Sequence, residues 1–321
     1  MTDDYIFIGA PNDGNGKVYM FSLSYVVLRV FTASDGLGSD TFGHLFAVLD
    51  DTIYICSRIN SNVGAVYVFT ISTGVQTHKL EASDVNTAGA QDFGTSIAVS
   101  SAILVVGAYL KNSQDGGVYI FDTATLTEQT IVLGSNLGLT VGSRAGMRLA
   151  LSGQRIFCTA HFHDSRRGAL VVLDQLGTVL DTVVGENIGD QYGRSFFVKD
   201  DILLVGAPRY NANNGRGYHY TLDSPVNPTT LTLTQTFDAL AVGLQNGFST
   251  FIDTNYLYVS GKVGAGVVYR YAHDGTAMGQ TVEPQSGSGD FGFSVRGNDD
   301  MIIVTAPLTG VAYRLYDAIF Q

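Results

Sequence analysis

Short stretches of alternating apolar and polar residues fill this chain, and seven stretches are apolar throughout. They read "IFIGAP" from Ile6, "IYICSR" from Ile53, "LVVGAY" from Leu104, "IFCTAH" from Ile156, "LLVGAP" from Leu203, "LYVSGK" from Leu257 and "IIVTAP" from Ile302. Their starts lie 45 to 54 residues apart, about the length of one four-stranded propeller blade. A glycine stands ten residues before each of the last six (Gly43, Gly94, Gly146, Gly193, Gly247, Gly292), after Phe42, Phe93, Tyr192 or Phe291 in four copies. Another glycine follows each stretch (Gly16, Gly64, Gly116, Gly168, Gly215, Gly266, Gly310). An aromatic comes three residues later in six copies: Tyr19, Tyr67, Tyr119, Tyr218, Tyr269 and Tyr313.

One unit shows what the pattern predicts. In "FGTSIAVSSAILVVGA" period-two apolar residues flank a break at Ser100 and Ser101, which reads as two strands and a tight turn. The second strand is apolar on both faces, as in a sheet covered on both sides. "GVYIFD" alternates as a third strand, and "TEQTIVLG" supplies a more polar fourth at an outer edge. Such a sheet cannot bury both faces alone, and radial repetition solves that problem. The expected fold is therefore all-β, a seven-bladed β-propeller. It forms one domain over 1–321, with repeats near 1–40, 41–91, 92–143, 144–190, 191–244, 245–289 and 290–321. The first copy starts at its second strand and the last ends near "VAYRLYDAIFQ", so the first and last blades are expected to be incomplete. The ring is then expected to close by direct packing of two short blades, with "DAIFQ" lending a strand and an exposed edge open to another chain.

Phe-Gly, an apolar strand ending Gly-Ala-Pro and then Gly-x-Val-Tyr resemble the FG-GAP repeat of the integrin α-subunit head and of microbial surface proteins. The best copies are residues 93 to 121 and 192 to 208; weaker ones place Ala145 or Asn246 before the first glycine, and Arg58, Tyr109, His161 or Lys262 where the family has proline. The resemblance implies a propeller and, in its integrin-like subset, calcium held by an Asp-x-Asp-x-Asp-Gly loop between strands one and two. Here those hairpins read "LDDT", "VSSAI", "LSGQR", "VKDDI", "IDTNY" and "GNDDM". Pairs such as Asp50–Asp51 and Asp200–Asp201 supply too few oxygens for the six or more that calcium takes, and are read as turn residues accepting their own backbone amides. No cofactor and no integrin-type calcium site are expected.

Composition narrows the classes. A net charge of −11 opposes generic nucleic-acid binding. No window approaches the 18 or so apolar residues of a membrane span. Cys56 and Cys158 sit in apolar runs and read as buried hydrophobes. "MTDDYIFIGAP" has neither the basic nor the apolar region of a secretory signal. "GAPNDGNG" leads into a strand, so no helix N-terminus is available to hold a phosphate.

Three features carry candidate chemistry. "HFHDSRRG" brings His161, His163 and Asp164 together; alternate strand positions would let both imidazoles reach one metal, but no third ligand is identifiable and loop histidines with ordinary contacts are favoured. Only four glutamates occur (Glu81, Glu128, Glu186, Glu283) with no Gly-x-Ser-x-Gly elbow, so catalysis finds little support and no enzyme is expected. Of 18 Lys and Arg, seven are expected in loops between strands two and three: Arg58, Lys111, Arg166, Arg167, Arg209, Arg216 and Lys262. Those loops should share a rim with the blade connections at 82 to 92 and 134 to 144, giving an acidic body one face suited to carboxylate, sulfate or phosphate.

The leading expectation is a structural or adhesive binding module. It is placed on a virion surface or outside the cell, as a phage capsid decoration, tail or fibre component, with other virion or surface proteins, or an anionic glycan, as partners. A glycan-binding lectin is the second class; the lack of Trp weakens it, although Tyr can stack on sugars. An enzyme with acids gathered from several blades at a central channel is the third.

Overall fold

The computed structural model of the chain describes residues 5–36, 40–59, 63–84, 91–223, 230–239, 243–264, 266–282, 290–298, 301–306, 308 and 311–315. Seven antiparallel sheets follow one another along it, strands adjacent in sequence being neighbours in space. They are the blades of a β-propeller. Blades 2 to 6 have four strands each; blade 3 consists of Phe93–Val99, Ile103–Ala108, Gly117–Asp122 and Glu128–Leu133, blade 4 of Arg148–Ser152, Arg155–Thr159, Ala169–Leu173 and Val179–Val184, and blade 5 of Ser195–Lys199, Ile202–Ala207, Arg216–Leu222 and Leu231–Asp238. Blade 1 (Tyr5–Ala10, Lys17–Ser22, Val27–Phe31) and blade 7 (Ser294–Asn298, Met301–Ala306, Val311–Leu315) have three among the described residues. Among the described residues, then, blade 1 shows no opening strand of the repeat and blade 7 no fourth. "DAIFQ", Gly310, Glu283 and the Asp299–Asp300 pair lie outside the described residues.

The chain divides into two compact units. One comprises Met1–Leu151 with Asp174–Thr178 and holds blades 1 to 3; the other comprises Ser152–Leu173 with Val179–Gln321 and holds blades 5 to 7.

The Phe-Gly pair has a mechanical explanation. Phe93 pairs with Ala108, but the next paired residue is Ser96 opposite Gly107, so Gly94 and Thr95 bulge out of the ladder. Blade 2 does the same between Phe42 and Leu45. The bulge needs a left-handed residue, and Gly94 supplies φ 92° without a Cβ penalty. It also turns the Phe93 ring inward to meet Tyr119 edge-on, centroids 5.0 Å apart at 84°. Phe42–Tyr67, Tyr192–Tyr218 and Phe291–Tyr313 repeat that contact at 5.4, 5.1 and 5.3 Å. Each pair is worth roughly 0.5–1.5 kcal/mol beyond its buried area. The two widely spaced motif aromatics are thus one packing unit.

The glycine ending the second strand sets the spacing of neighbouring blades. A Cβ on Gly107 would overlap the carbonyl oxygen of Gly146, and one on Gly206 that of Gly247. These same carbonyls accept hydrogen bonds from Ser96 Oγ (2.6 Å) and Ser195 Oγ (2.8 Å). Second strands are correspondingly buried, throughout in Ile103–Ala108 and in all but the first residue of Ile202–Ala207. Blade 1 departs from this: Ile8 is 51% exposed, and its outer turn and strand leave Leu23, Tyr25, Val26 and Leu28 open to solvent. Its sheet, among the described residues, has no opening strand beside Tyr5–Ala10.

Candidate functional site

In blades 3, 4 and 5 the loop from strand two to strand three adopts one backbone shape. Lys111–Gln114, His163–Arg166 and Tyr210–Asn213 are single turns carrying three consecutive left-handed residues. The φ values are 48, 59 and 72° at Asn112, Ser113 and Gln114; 45, 56 and 68° at Asp164, Ser165 and Arg166; and 47, 57 and 71° at Asn211, Ala212 and Asn213. Left-handed backbone costs about 1–2 kcal/mol per non-glycine residue, least for Asn and Asp. Asn, Asp and Asn open the three runs, which fits that preference.

What holds the strain is visible. Gly116 N donates to Lys111 O (3.0 Å), Gly168 N to His163 O (3.1 Å) and Gly215 N to Tyr210 O (2.9 Å). The connection to the next blade then clamps the turn: Arg144 N donates to Gln114 O, Gln191 N to Arg166 O and Gln245 N to Asn213 O, at 2.9, 2.8 and 3.0 Å. Loops and blade connections therefore do share a rim, as in blade 3, where Asp115 Oδ2 also accepts from Ser135 N at 3.0 Å. Sequence reasoning missed the left-handed runs; Asn-Ser-Gln, Asp-Ser-Arg and Asn-Ala-Asn share no motif, and the equal spacing to the following glycine was their sole signal.

The seven cations fall into different environments. Lys111 is 1% exposed, with its Nζ 2.5 Å from Asp84 Oδ2 and 5.4 Å from the Tyr119 ring centre, so it is a buried partner and not a surface charge. Arg216 opens the third strand of blade 5 and is not a loop residue. Its guanidinium joins both carboxylate oxygens of Asp238, reaches Glu186 Oε1 at 2.8 Å, and stacks 3.9 Å from the Tyr210 ring. The Asp238 bonds first, against the opposing effect of burial, raise its pKa further. Arg167 pairs with Asp164 at 3.2 Å, Arg58 sits 3.9 Å from Asp92, Arg166 lies over Phe162 at 5.3 Å and Lys262 over Phe248 at 4.3 Å. Arg209 is exposed and has neither a carboxylate nor a ring partner among the described residues.

A recurrent network accounts for several of these. Tyr67 donates its hydroxyl to Asp35 (2.6 Å), which also takes Lys79 (2.7 Å). Tyr119, Asp84 and Lys111 repeat this in blade 3, and Tyr218, Glu186 and Arg216 in blade 5. The repeat tyrosine is thus tied through its hydroxyl to a carboxylate in the preceding blade connection, which holds a cation in turn.

His161 and His163 do not occupy alternate strand positions. The strand Arg155–Thr159 ends before them, His161 being buried in the turn and His163 opening the left-handed run. Among the described residues no group of three His, Cys, Asp or Glu is placed to hold a metal ion. Asp51 does not bind its own turn; it accepts Ser72 N and Ser72 Oγ from the neighbouring hairpin, at 2.8 and 2.5 Å. Asp253 behaves as expected of a turn residue, accepting Asn255 N and Tyr256 N at 2.7 and 2.6 Å.

His44, next to the Phe-Gly bulge of blade 2, is a group the sequence did not single out. Neither ring nitrogen closes a side-chain hydrogen bond and both are shielded from solvent. Burial first, and the nearby Arg58 charge second, lower its pKa from 6.5 to about 4. A histidine whose folded pKa is depressed favours the neutral form in the fold. Its contribution is complete above pH 6.5 and is lost as pH falls from there through about 4. At about 1.4 kcal/mol per pH unit the loss is bounded near 3 kcal/mol. Urea melts at pH 7.5 and pH 4.5 should show a smaller acid loss for His44→Gln than for wild type. Equal losses would mean that His44 titrates normally.

A cleft of about 480 Å³ lies between residues 187–190 and 209–213. Asn187, Asp190, Arg209, Asn211 and Asn213 line it, with Ile188 beside them. Asp190 is 3% exposed and its Oδ2 accepts Asn187 N (2.9 Å) and Nδ2 (3.2 Å). Burial, more than those bonds lower it, raises its pKa.

Residues 75–121, which run from the outer strand of blade 2 through the third strand of blade 3, match the family model described as the FG-GAP repeat. This stretch of the β-propeller is similar to one FG-GAP repeat. The matched segment contains the Phe93 bulge, the Gly107 approach and the Tyr119 contact, and each of these recurs in at least one other blade. No curated protein matches the sequence significantly.

Proposed function

We propose that this β-propeller is a non-enzymatic binding module, structural or adhesive in role, that contacts its partners through the loops joining second and third strands. The observation that carries this is one backbone bearing three chemistries. Blades 3, 4 and 5 hold strained turns of one backbone shape in place with the same hydrogen bonds, yet present Asn-Ser-Gln, Asp-Ser-Arg and Asn-Ala-Asn on them. A rigid scaffold with varied loop side chains is what recognition requires. Strain kept at such positions supports the reading further.

The setting we propose is the surface of an assembled particle, as a phage capsid decoration, tail or fibre component with other virion proteins as partners. A net charge of −11 suits a part that must stay apart from its own copies and from nucleic acid until a complementary surface is met. The exposed edge of blade 1 offers a second place for such a partner. Mass spectrometry of purified virions should find the chain, and particles assembled with Arg166→Glu/Arg209→Glu should carry at least tenfold less of it, at unchanged melting temperature. Normal incorporation of that variant removes the loop face from the proposal, and absence of the wild-type chain from virions removes the setting. A second reading, a glycan-binding lectin, is favoured by the polar cleft of blade 5.

A further inference from the structure

We propose that the cleft between residues 187–190 and 209–213 binds an acidic saccharide, with the sugar carboxylate on Arg209 and its hydroxyls on Asp190 and the asparagine amides. This rests on the glycan-binding reading of the same loop face and names its ligand class.

The argument begins with what is left unpaired. In blade 3 the equivalent loop uses its polar groups internally: Gln114 Oε1 takes Arg144 at 2.6 and 2.9 Å, and Asp115 takes Ser135 N. In blade 4, Asp164 is held by Arg167. In blade 5, Asn211 and Asn213 are exposed and the side chain of neither forms a hydrogen bond among the described residues. Arg209 is the one of the seven sequence-selected cations with no carboxylate or ring partner among them. Its backbone is nevertheless fixed, since Arg209 N donates to Asp190 O at 3.2 Å and Asn213 N to Arg209 O at 3.2 Å.

The charges are then asymmetric. Arg194, nearby, has its pKa lowered first by burial and then by the Arg209 charge, so the cleft is locally positive at Arg209 within an acidic protein. Also in the lining is the Asp190 carboxylate, whose pKa burial raises most, with its Asn187 hydrogen bonds opposing. Its Oδ1 takes no part in the Asn187 bonds that occupy Oδ2. A cation, an acceptor carboxylate and unbonded amides lining one cleft match a ligand with an anionic group beside vicinal hydroxyls. Sulfate or phosphate would satisfy Arg209 but oppose Asp190. Ile188, 62% exposed, offers the apolar surface that a sugar ring face can cover.

Saturation-transfer NMR and calorimetry with glucuronate, N-acetylneuraminate, glucose and sodium sulfate test this. Single-site affinities for the two acidic sugars are expected near 1 mM, about −4 kcal/mol, with no detectable glucose or sulfate binding at the same concentration. Arg209→Ala should weaken glucuronate at least tenfold, and Asn211→Ala/Asn213→Ala several-fold. Lys199→Ala, in the first strand of the same blade and outside the cleft lining, should leave binding unchanged. Glucose binding as well as glucuronate, sulfate competing at equal concentration, or an unaffected Arg209→Ala each overturns the acidic-saccharide assignment. Neutral glycans binding on an array would leave the lectin reading standing without it. No binding of any glycan, acidic or neutral, removes both, and virion incorporation through the loops then remains as an independent result.

Discussion

Gly206→Ala should destabilise the protein by about 3 kcal/mol or more, although it adds a single methyl group. Gly206 has ordinary strand torsions, so alanine meets no conformational objection of its own. The difficulty is the neighbour. The added Cβ would overlap the Gly247 carbonyl and crowd Ser195 Oγ, the pair whose 2.8 Å hydrogen bond joins blades 5 and 6. Overpacking a core typically costs roughly 1–3 kcal/mol, and a lost buried hydrogen bond adds roughly 1–3 when its carbonyl is left unsatisfied. Gly107→Ala should behave alike, because its Cβ would strike Gly146 O and Ser96 Oγ. Gly142→Ala is the control: φ there is 83° but a Cβ would meet nothing within 4 Å, so only the left-handed penalty applies, about 1–2 kcal/mol. Thermal unfolding followed by circular dichroism should rank the three as Gly142 mild, Gly107 and Gly206 severe or insoluble. A Gly206→Ala melt within a degree or two of wild type would show that blade spacing is not set at this residue.

That glycine was legible in the sequence because its requirement is local and repeated. Apolar second strands, the bulge glycine and the aromatic three residues beyond the next glycine recur at fixed spacing, and each corresponds to one contact in a blade. Phe93, Gly94 and Tyr119 stand out in the sequence by spacing, and Gly107 falls within the Gly-Ala that ends the apolar strand "LVVGAY". The site was less legible, for a physical reason. Whether a cation serves as a surface charge depends on partners supplied by other segments. Asp84 lies 27 residues before Lys111, and Glu186 lies 30 before Arg216. Sequence placed all seven cations on one face; the partners withdraw Lys111 into the core and hold Arg216 along a strand. The left-handed turns escaped notice because αL residues at 112–114, 164–166 and 211–213 are imposed by clamping hydrogen bonds from the next connection, not by a glycine.

The Lys111–Asp84 pair makes the second large prediction, and its sign depends on which partner is removed. Lys111 is 1% exposed, whereas the Asp84 side chain is 42% exposed. Burial alone would raise the Asp84 pKa; hydrogen bonds from Lys111 and Tyr119 outweigh it and hold the carboxyl below its ordinary value. Asp84 is therefore ionised through the neutral range, and its share of stability is lost only as pH falls through and below about 4. Asp84→Ala leaves the ammonium enclosed, with Gln91 Oε1 at 3.5 Å and the Tyr119 ring as its remaining company. Stranding a buried charge in this way costs about 3–5 kcal/mol. Lys111→Met is different: the thioether chain fills the same space, Asp84 turns to water and keeps the Tyr119 hydroxyl at 2.6 Å, and the change should stay within about 1 kcal/mol. Adding Lys111→Met to Asp84→Ala should then restore most of the loss, giving a coupling energy of roughly 2 kcal/mol or more in a double-mutant cycle. Urea unfolding of the four proteins at pH 7 measures it. If Asp84→Ala and Lys111→Met are equally costly, or if the double variant is no better than Asp84→Ala alone, the ammonium reaches solvent and the buried Tyr–Asp–Lys arrangement is not what secures blade 3.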